Sequence, residues 1–123
     1  KITVINTAGL YLEGDRPFDI DAGNGDPTFR ELPSDFNPQS LRVAHPHYSH
    51  ARFNQDHNVI LPIDRLRELV AAKALGGLAP RFFSFGFGGG LTREYIDPQT
   101  GTAHQLAKLL REDGADFALL VPA

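Results

Sequence analysis

The sequence of 123 residues contains no cysteine, no methionine and no tryptophan. Because cysteine is missing, these residues cannot form a disulfide, bind a metal through a thiolate or supply a thiol nucleophile. The absence favours a reducing compartment, and we expect a cytoplasmic protein. Apolar runs of the roughly 20 residues that a membrane-spanning helix needs are missing too, so no membrane contact is expected.

An excess of basic residues is also missing. Asp and Glu number 15 against 12 Lys and Arg, which gives a net charge of -3. A nucleic-acid-binding domain needs a concentrated basic face. Since 41% of the residues are hydrophobic and 22% charged, the composition is typical of a globular domain. We therefore expect a partner that is a small-molecule substrate and not a nucleic acid.

Strand and helix patterns alternate along the chain. Runs of β-branched or apolar residues predict strands, and leucines at helical spacing predict helices. The predicted strands are residues 2–7, 41–44, 58–62, 81–85 and 116–121, and the predicted helices are residues 65–75 and a second one that starts at a Thr102–Gln105 capping box. Strand, helix and strand over residues 80–123 form a right-handed βαβ unit. The whole pattern predicts an α/β fold, doubly wound, with a mostly parallel sheet.

Residues 12–40 interrupt this pattern with many prolines and glycines, which predicts a long loop excursion. The sequence starts at Lys1 instead of a methionine, and Ala123 directly follows an apolar strand. We therefore expect residues 1–123 to be one partial α/β domain whose sheet is incomplete in this chain. A second polypeptide segment would complete the sheet, in a hetero-oligomer.

Doubly wound sheets bind ligands at the carboxyl ends of their strands. The segments that follow the predicted strands are residues 7–9, 45–47, 84–90 and 121–123. We expect these segments to meet at one edge of the sheet and to form the functional site.

Four of the five histidines fall within thirteen residues. Histidine titrates near neutral pH and can serve as an acid, a base or a metal ligand. His45 and His47 would point the same way in an extended chain. A zinc site would need a third ligand from His50, His57 or Asp56. Contact with a substrate, and ordinary hydrogen bonds in a polar loop, are the other interpretations.

The glycine-rich residues 84–90 leave backbone N–H groups free to face an anion or a carboxylate. Their spacing matches neither the dinucleotide fingerprint nor the Walker loop. The alternative is a flexible turn whose phenylalanines pack into the core. Arg16, in the excursion, could hold a carboxylate by two-point contact, or lie in a solvated loop.

Four stretches of the sequence share their order with one family of enzymes. They are residues 4–10 with 14–18, residues 45–48, residues 53–69 and residues 109–122. In this combination they resemble the selenoprotein B family of glycine, sarcosine and betaine reductases, to which the D-proline reductase selenoprotein subunit is related.

The resemblance implies an oxidoreductase that cleaves a carbon–nitrogen bond reductively in a small amino acid or betaine-type substrate. In the family, a cysteine or selenocysteine follows the strand that ends like residues 120–122. This redox residue is therefore expected beyond Ala123, with no cofactor or metal in the chain itself. His45 and His47 would be the catalytic residues. The residues expected to contact the substrate are Arg16, Tyr48, Asp56, Ser84, Gly86, Gly88 and Gly89.

Two other functions stay open at this point. The chain could be a non-catalytic subunit that binds a small ligand or serves as a scaffold, keeping the pocket without the nucleophile. It could also be a metal-dependent enzyme based on the histidine cluster.

Overall fold

The computed structural model describes residues 1–89 and 91–123. Within them, the strands in chain order are β1 (Ile2–Asn6), β2 (Leu10–Leu12), β3 (Phe29–Pro33), β4 (Leu41–Val43), β5 (Arg81–Phe85) and β6 (Phe117–Val121). The α-helices are α1 (Ala51–Gln55), α2 (Ile63–Ala71), α3 (Thr92–Ile96) and α4 (Thr102–Glu112). Two short 3-10 helices lie at Pro38–Ser40 and His57–Val59.

The larger sheet has the strand order β3-β5-β1-β6, and β2 pairs with β4 in a separate two-stranded sheet. β1 runs parallel to both β5 and β6, whereas β3 is antiparallel to β5. Between β1 and β5 the chain passes through α2, whose Ile63 and Leu66 pack on one face. Between β5 and β6 it passes through α4, whose Leu106 packs on the other face. The predicted doubly wound, mostly parallel α/β sheet is therefore confirmed.

The two faces of this sheet carry separate cores. Val4 and Phe82 are fully buried on the α2 face. Phe83 and Phe85 pack with Leu106 on the α4 face. Truncating a buried phenylalanine to alanine costs about 3–5 kcal/mol in such a core. These side chains therefore fix β1 and β5, whose carboxyl ends carry the site described below.

The excursion predicted over residues 12–40 contains a strand that the sequence pattern did not predict. β3 pairs with β5 along its whole length, although its sequence holds no β-branched residue and ends in Pro33. Proline is tolerated in a strand at the sheet edge, where it removes no ladder hydrogen bond. Tertiary pairing, and not local propensity, therefore makes this strand.

Two other local predictions are wrong. Residues 58–62 form no strand, because the Asp56 carboxylate accepts a hydrogen bond from the Asn58 N–H and starts a 3-10 helix there. The capping box is not formed either. α4 begins at Thr102 itself, after Gly101, so the Thr102 side chain does not cap it.

β6 differs from the inner strands in its exposure. Its apolar sequence is typical of a strand buried on both faces, yet Phe117 is 71% and Leu120 68% exposed. β6 pairs with β1 on one side, and in the described residues it is the last strand of the sheet. The strand is confirmed, but its burial is not achieved within residues 1–123.

Within residues 1–89 and 91–123, no helix combines the length and the apolar character needed to cross a lipid bilayer.

Candidate functional site

A pocket of about 590 Å³ lies at the carboxyl ends of β1, β5 and β6. β1 is the point where the strand order reverses, because the chain moves from β1 to β5 on one side and then back past β1 to β6. Ligands of α/β sheets bind at such points. The pocket is lined by Ile5, Thr7, His45, His47, Phe85, Gly86, Phe87, Gly88, Gly89, Tyr95, Ala103 and Ala123. The segments expected to meet therefore do meet; Gly90, the last residue of one of them, lies outside the described residues.

The turn after β1 is held by a buried polar network. Ser84 Oγ donates a hydrogen bond to Asn6 Oδ1 at 2.6 Å and accepts one from the Leu10 N–H at 2.8 Å. Asn6 Oδ1 also accepts one from the Ala8 N–H. Ser84 is fully buried and does not line the pocket. Its role in this structure is to hold the turn, and contact with the substrate stays a prediction.

The histidine loop, residues 44–50, contacts this turn at two points. Gly9 has φ +68°, and a Cβ there would overlap the Ala44 carbonyl. Only glycine combines this backbone conformation with such a close approach at low cost. The Tyr48 hydroxyl donates a hydrogen bond to the Ala8 carbonyl at 2.9 Å. Burial raises the pKa of Tyr48 to about 12, so the phenol stays protonated and remains a donor.

The two predicted catalytic histidines differ in their surroundings. His45 is only 8% exposed, and burial, followed by the nearby His47 and His50, lowers its pKa below 6.5. His45 Nδ1 accepts a hydrogen bond from the His47 N–H at 3.2 Å, so the proton of the neutral ring sits on Nε2. The His50 ring donates to the His45 carbonyl. His45 is thus a fixed, neutral imidazole.

His47 is the accessible histidine of the pair. Its side chain is exposed at the pocket wall, and its ring centroid lies 4.1 Å from that of Phe87. An exposed imidazole can exchange protons with a ligand and with solvent. Of the two rings, His47 is therefore the better placed for acid–base work.

The glycine segment allows aromatic rings to pack closely. A Cβ on Gly86 would overlap the Phe18 ring, and one on Gly88 would overlap the Tyr95 hydroxyl. This packing explains why both positions are glycine without any ligand. Contact between their backbone and a carboxylate stays a prediction.

The pocket wall is apolar and aromatic. None of the described residues that line it is a lysine, an arginine or a carboxylate. Burial, with Asp26 and Glu94 as smaller contributions, raises the pKa of Tyr95, so its hydroxyl is neutral as well. Sequence patterns missed Tyr95 as a site residue, because a short helix after a glycine turn gives little periodicity.

Four of the predicted site residues do not line this pocket. Ser84 and Tyr48 hold the turn after β1, as described above, and the other two lie away from the pocket. Arg16 lines a separate cavity of about 440 Å³ together with Asp26 and Arg30. Asp56 lies on the surface, where its carboxylate accepts hydrogen bonds from Asn58. The structure therefore brings together the histidines and the glycine segment, but it does not bring Arg16 or Asp56 to them.

The histidine cluster does not form a metal site in the described part of the chain. Across residues 1–89 and 91–123, no group of three or more His, Asp and Glu side chains is arranged to hold a metal ion. One potential donor, His45 Nδ1, already accepts a backbone hydrogen bond.

The chain is similar to D-proline reductase subunit gamma of Acetoanaerobium sticklandii. The two are 30% identical over 119 residues, which is 97% of this chain and 47% of that protein. The chain thus spans about half the length of the curated relative it matches. No protein-family model matches the chain. No solved structure gives a significant match. The resemblance found in the sequence is confirmed in this form: over nearly its whole length the chain is related to a D-proline reductase subunit.

Proposed function

We propose that the chain is a subunit, or a part of one, of an oxidoreductase that cleaves a carbon–nitrogen bond reductively in a small amino acid or betaine-type substrate. One observation carries the proposal: the segment that follows β6 lines one pocket with both histidines. Ala123 lines the same pocket as His45 and His47, and its N–H donates a hydrogen bond to Thr7 Oγ1 at 3.1 Å. The relationship to a reductase subunit supports the reaction class.

The redox group is proposed to be a cysteine or selenocysteine supplied from outside residues 1–123. A thiol or selenol would attack the carbon of the scissile bond and displace the amine, forming a carbon–sulfur or carbon–selenium bond. A second thiol, also from outside these residues, would then attack the sulfur or selenium, form a disulfide or selenosulfide and release the carbon, which takes up a proton. The wall beside Ala123 fits such a group, because it is apolar and carries the accessible imidazole of His47. The lack of cysteine in the chain agrees with a reducing, cytoplasmic setting for this chemistry.

The chain's own residues would bind the substrate and move protons. The rings of Phe87 and Tyr95 face the pocket and suit an ammonium group or the methylenes next to it, since cations bind to aromatic faces. His47 would donate a proton to the amine as the carbon–nitrogen bond breaks. His45, neutral and fixed by its hydrogen bonds, would hold the loop that carries His47. Backbone N–H groups of residues 86–89 are the proposed contact for the substrate carboxylate.

The test is His47→Ala in the assembled enzyme. We expect the rate of amine release from D-proline, glycine, sarcosine or betaine to fall by about 10²–10⁴-fold, the usual contribution of a general acid. Folding should be retained, because the side chain is exposed. His104→Ala, which removes an exposed histidine on α4, is the matched control and should leave the rate unchanged. Equal rates for the two variants, or unfolding of His47→Ala, would contradict the assignment.

A second candidate is a non-catalytic subunit that binds a small ligand. It is favoured by the combination of a formed pocket with a chain that contains no cysteine. Calorimetry with the same four compounds separates the two functions. Binding without turnover in the assembled protein supports this second function, whereas turnover that His47→Ala abolishes excludes it.

A further inference from the structure

β6 presents apolar side chains on both faces of the sheet. The parallel register aligns Leu120 with Ile5, on the α4 face, and Leu119 with Val4, on the α2 face. Leu120 is 68% and Leu119 36% exposed, and Phe117, on the same face as Leu119, is 71% exposed. Isolated exposed leucines are ordinary, but a whole strand that is apolar and exposed on two faces marks an interaction surface.

The edge of β6 opposite β1 also exposes backbone hydrogen-bonding groups. The Phe117 N–H donates to the Lys1 carbonyl, and each strand residue directs its N–H and C=O to one side, alternating along the strand. Ala118 and Leu120 therefore turn their polar backbone groups away from β1. Unpaired edges of this kind are templates for another strand unless they are blocked by charge or proline. β6 itself carries neither.

We propose that β6 is covered by a further parallel strand of the same polypeptide, from a segment outside residues 1–123, with helices over both of its faces. The relative supports this occupant, because only 47% of it is matched, so more than half has no counterpart in this chain. A parallel strand is favoured because β1, β5 and β6 already form a parallel sheet. The occupant is inferred from the fold and does not depend on the proposed chemistry.

The handedness of crossovers gives the face on which the first covering helix lies. The chain moves from β5 past β1 to β6 with α4 on one face. A right-handed connection from β6 that continues in the same direction must pass over that same face. The apolar side of the helix in this connection is therefore expected to pack on Leu120. A later helix would cover Phe117 and Leu119 on the other face.

A second copy of the chain fits this surface less well. Two copies that paired along β6 about a two-fold axis would run antiparallel. Such pairing would satisfy the backbone groups of Ala118 and Leu120. Each copy, however, would bring another β6 with the same uncovered faces, so the apolar surface would be enlarged and not buried.

Photo-crosslinking at position 120 tests the occupant. Leu120→benzoylphenylalanine is expressed from the full gene, with whatever coding sequence flanks codons 1–123 and with the neighbouring genes. The expected crosslink joins position 120 to a peptide outside residues 1–123 that aligns with the unmatched part of the relative. A crosslink that leaves the chain mass unchanged supports this occupant, whereas one that adds a second chain would place a partner subunit there and overturn the proposal.

The matched control is Leu69→benzoylphenylalanine, at a leucine on α2 that is 46% exposed. A crosslink from position 120 to residues 1–123 of another copy would overturn the proposal, and so would a crosslinking yield no higher than at position 69.

Hydrogen exchange tests the same surface independently. In the assembled protein the Ala118 and Leu120 amides should exchange about as slowly as the Phe117 amide, which donates to the Lys1 carbonyl, and exchange more than about tenfold faster would also overturn the proposal. Ligand binding at the pocket is measured separately, so failure here leaves the proposed function standing.

Discussion

At the scale of single residues, the site depends on polar groups that are buried and paired. Ser84 acts as both donor and acceptor between Asn6 and the Leu10 N–H. His45 is held by a backbone N–H and by burial, whereas His47 keeps its ring exposed. The family resemblance gave the two histidines the same catalytic role, and their spacing in an extended chain would point them the same way. Their different burial comes from the tertiary contacts around His45.

Ser84→Ala should lower the free energy of unfolding by about 1–3 kcal/mol, because it leaves the buried Leu10 N–H without its acceptor. Urea unfolding measures the change. Ser49→Ala, at an exposed serine in the histidine loop, is the control and should change stability by less than about 0.5 kcal/mol. If the two variants are equally stable, the Ser84 network does not hold the turn after β1.

At the scale of elements, the strands that the sequence predicted best are those with β-branched or apolar runs, whether buried, as in β1 and β5, or exposed, as in β6. β1, β5 and β6 lie within one residue of their predicted ranges. α2 was predicted over residues 65–75 but covers Ile63–Ala71; after it, Lys73 adopts φ 58°, which ends the helix before the glycines that were expected to stop it. Its start is set by side chains of the preceding 3-10 helix.

Asn58 connects that 3-10 helix to α2. Its amide donates to Asp56 Oδ1 at 2.9 Å and to Asp64 Oδ2 at 2.8 Å, and its carbonyl oxygen accepts from the Asp64 N–H. Asn58→Ala should therefore cost about 1–2 kcal/mol of stability. Asn54→Ala, at an exposed position in α1, is the control, and thermal unfolding compares them. Equal melting temperatures would show that the connection contributes nothing.

The Asn58→Ala variant should also change the pKa of Asp64. The hydrogen bond from Asn58 is the main cause that lowers the pKa of Asp64 below 3.8. Because the pKa of Asp64 is lower in the folded than in the unfolded state, its ionised carboxylate stabilises the fold. This stabilisation is present above pH 3.8 and is lost as the pH falls through the folded pKa. Asn58→Ala should move the Asp64 pKa up towards 3.8 in an NMR titration, and part of the acid sensitivity should disappear. An unchanged Asp64 pKa would contradict this cause.

At the scale of the whole molecule, Arg81 joins three elements. It starts β5, donates to both oxygens of Asp113 after α4 at 2.7 and 2.8 Å, and also bonds Glu31 in β3. These hydrogen bonds, the one to Asp113 first, raise the pKa of Arg81. Asp113 is only 9% exposed, so its carboxylate has little contact with water and relies on Arg81 for its hydrogen bonds.

Arg81→Met should lower the free energy of unfolding by about 2–4 kcal/mol, because a nearly buried carboxylate would lose its counter-charge. The partial exposure of Arg81 keeps the value below that of a fully buried pair. Arg111→Met, at an exposed arginine in the last turn of α4, is the control and should have little effect. Chemical denaturation distinguishes them, and a loss below about 0.5 kcal/mol for Arg81→Met would refute the pairing.

By itself, the sequence determined the α/β class, the three parallel strands, the long helix α4 and the strand ends that meet at one pocket. These features follow from hydrophobic periodicity and from apolar or β-branched runs, which are local properties of the chain. Only the tertiary structure decided that β3 joins the sheet, that His45 is buried while His47 is exposed, and that Arg16 and Asp56 lie away from the pocket. These outcomes depend on contacts between residues distant in sequence, such as β3 with β5 and Tyr48 with Ala8, for which local patterns carry no signal.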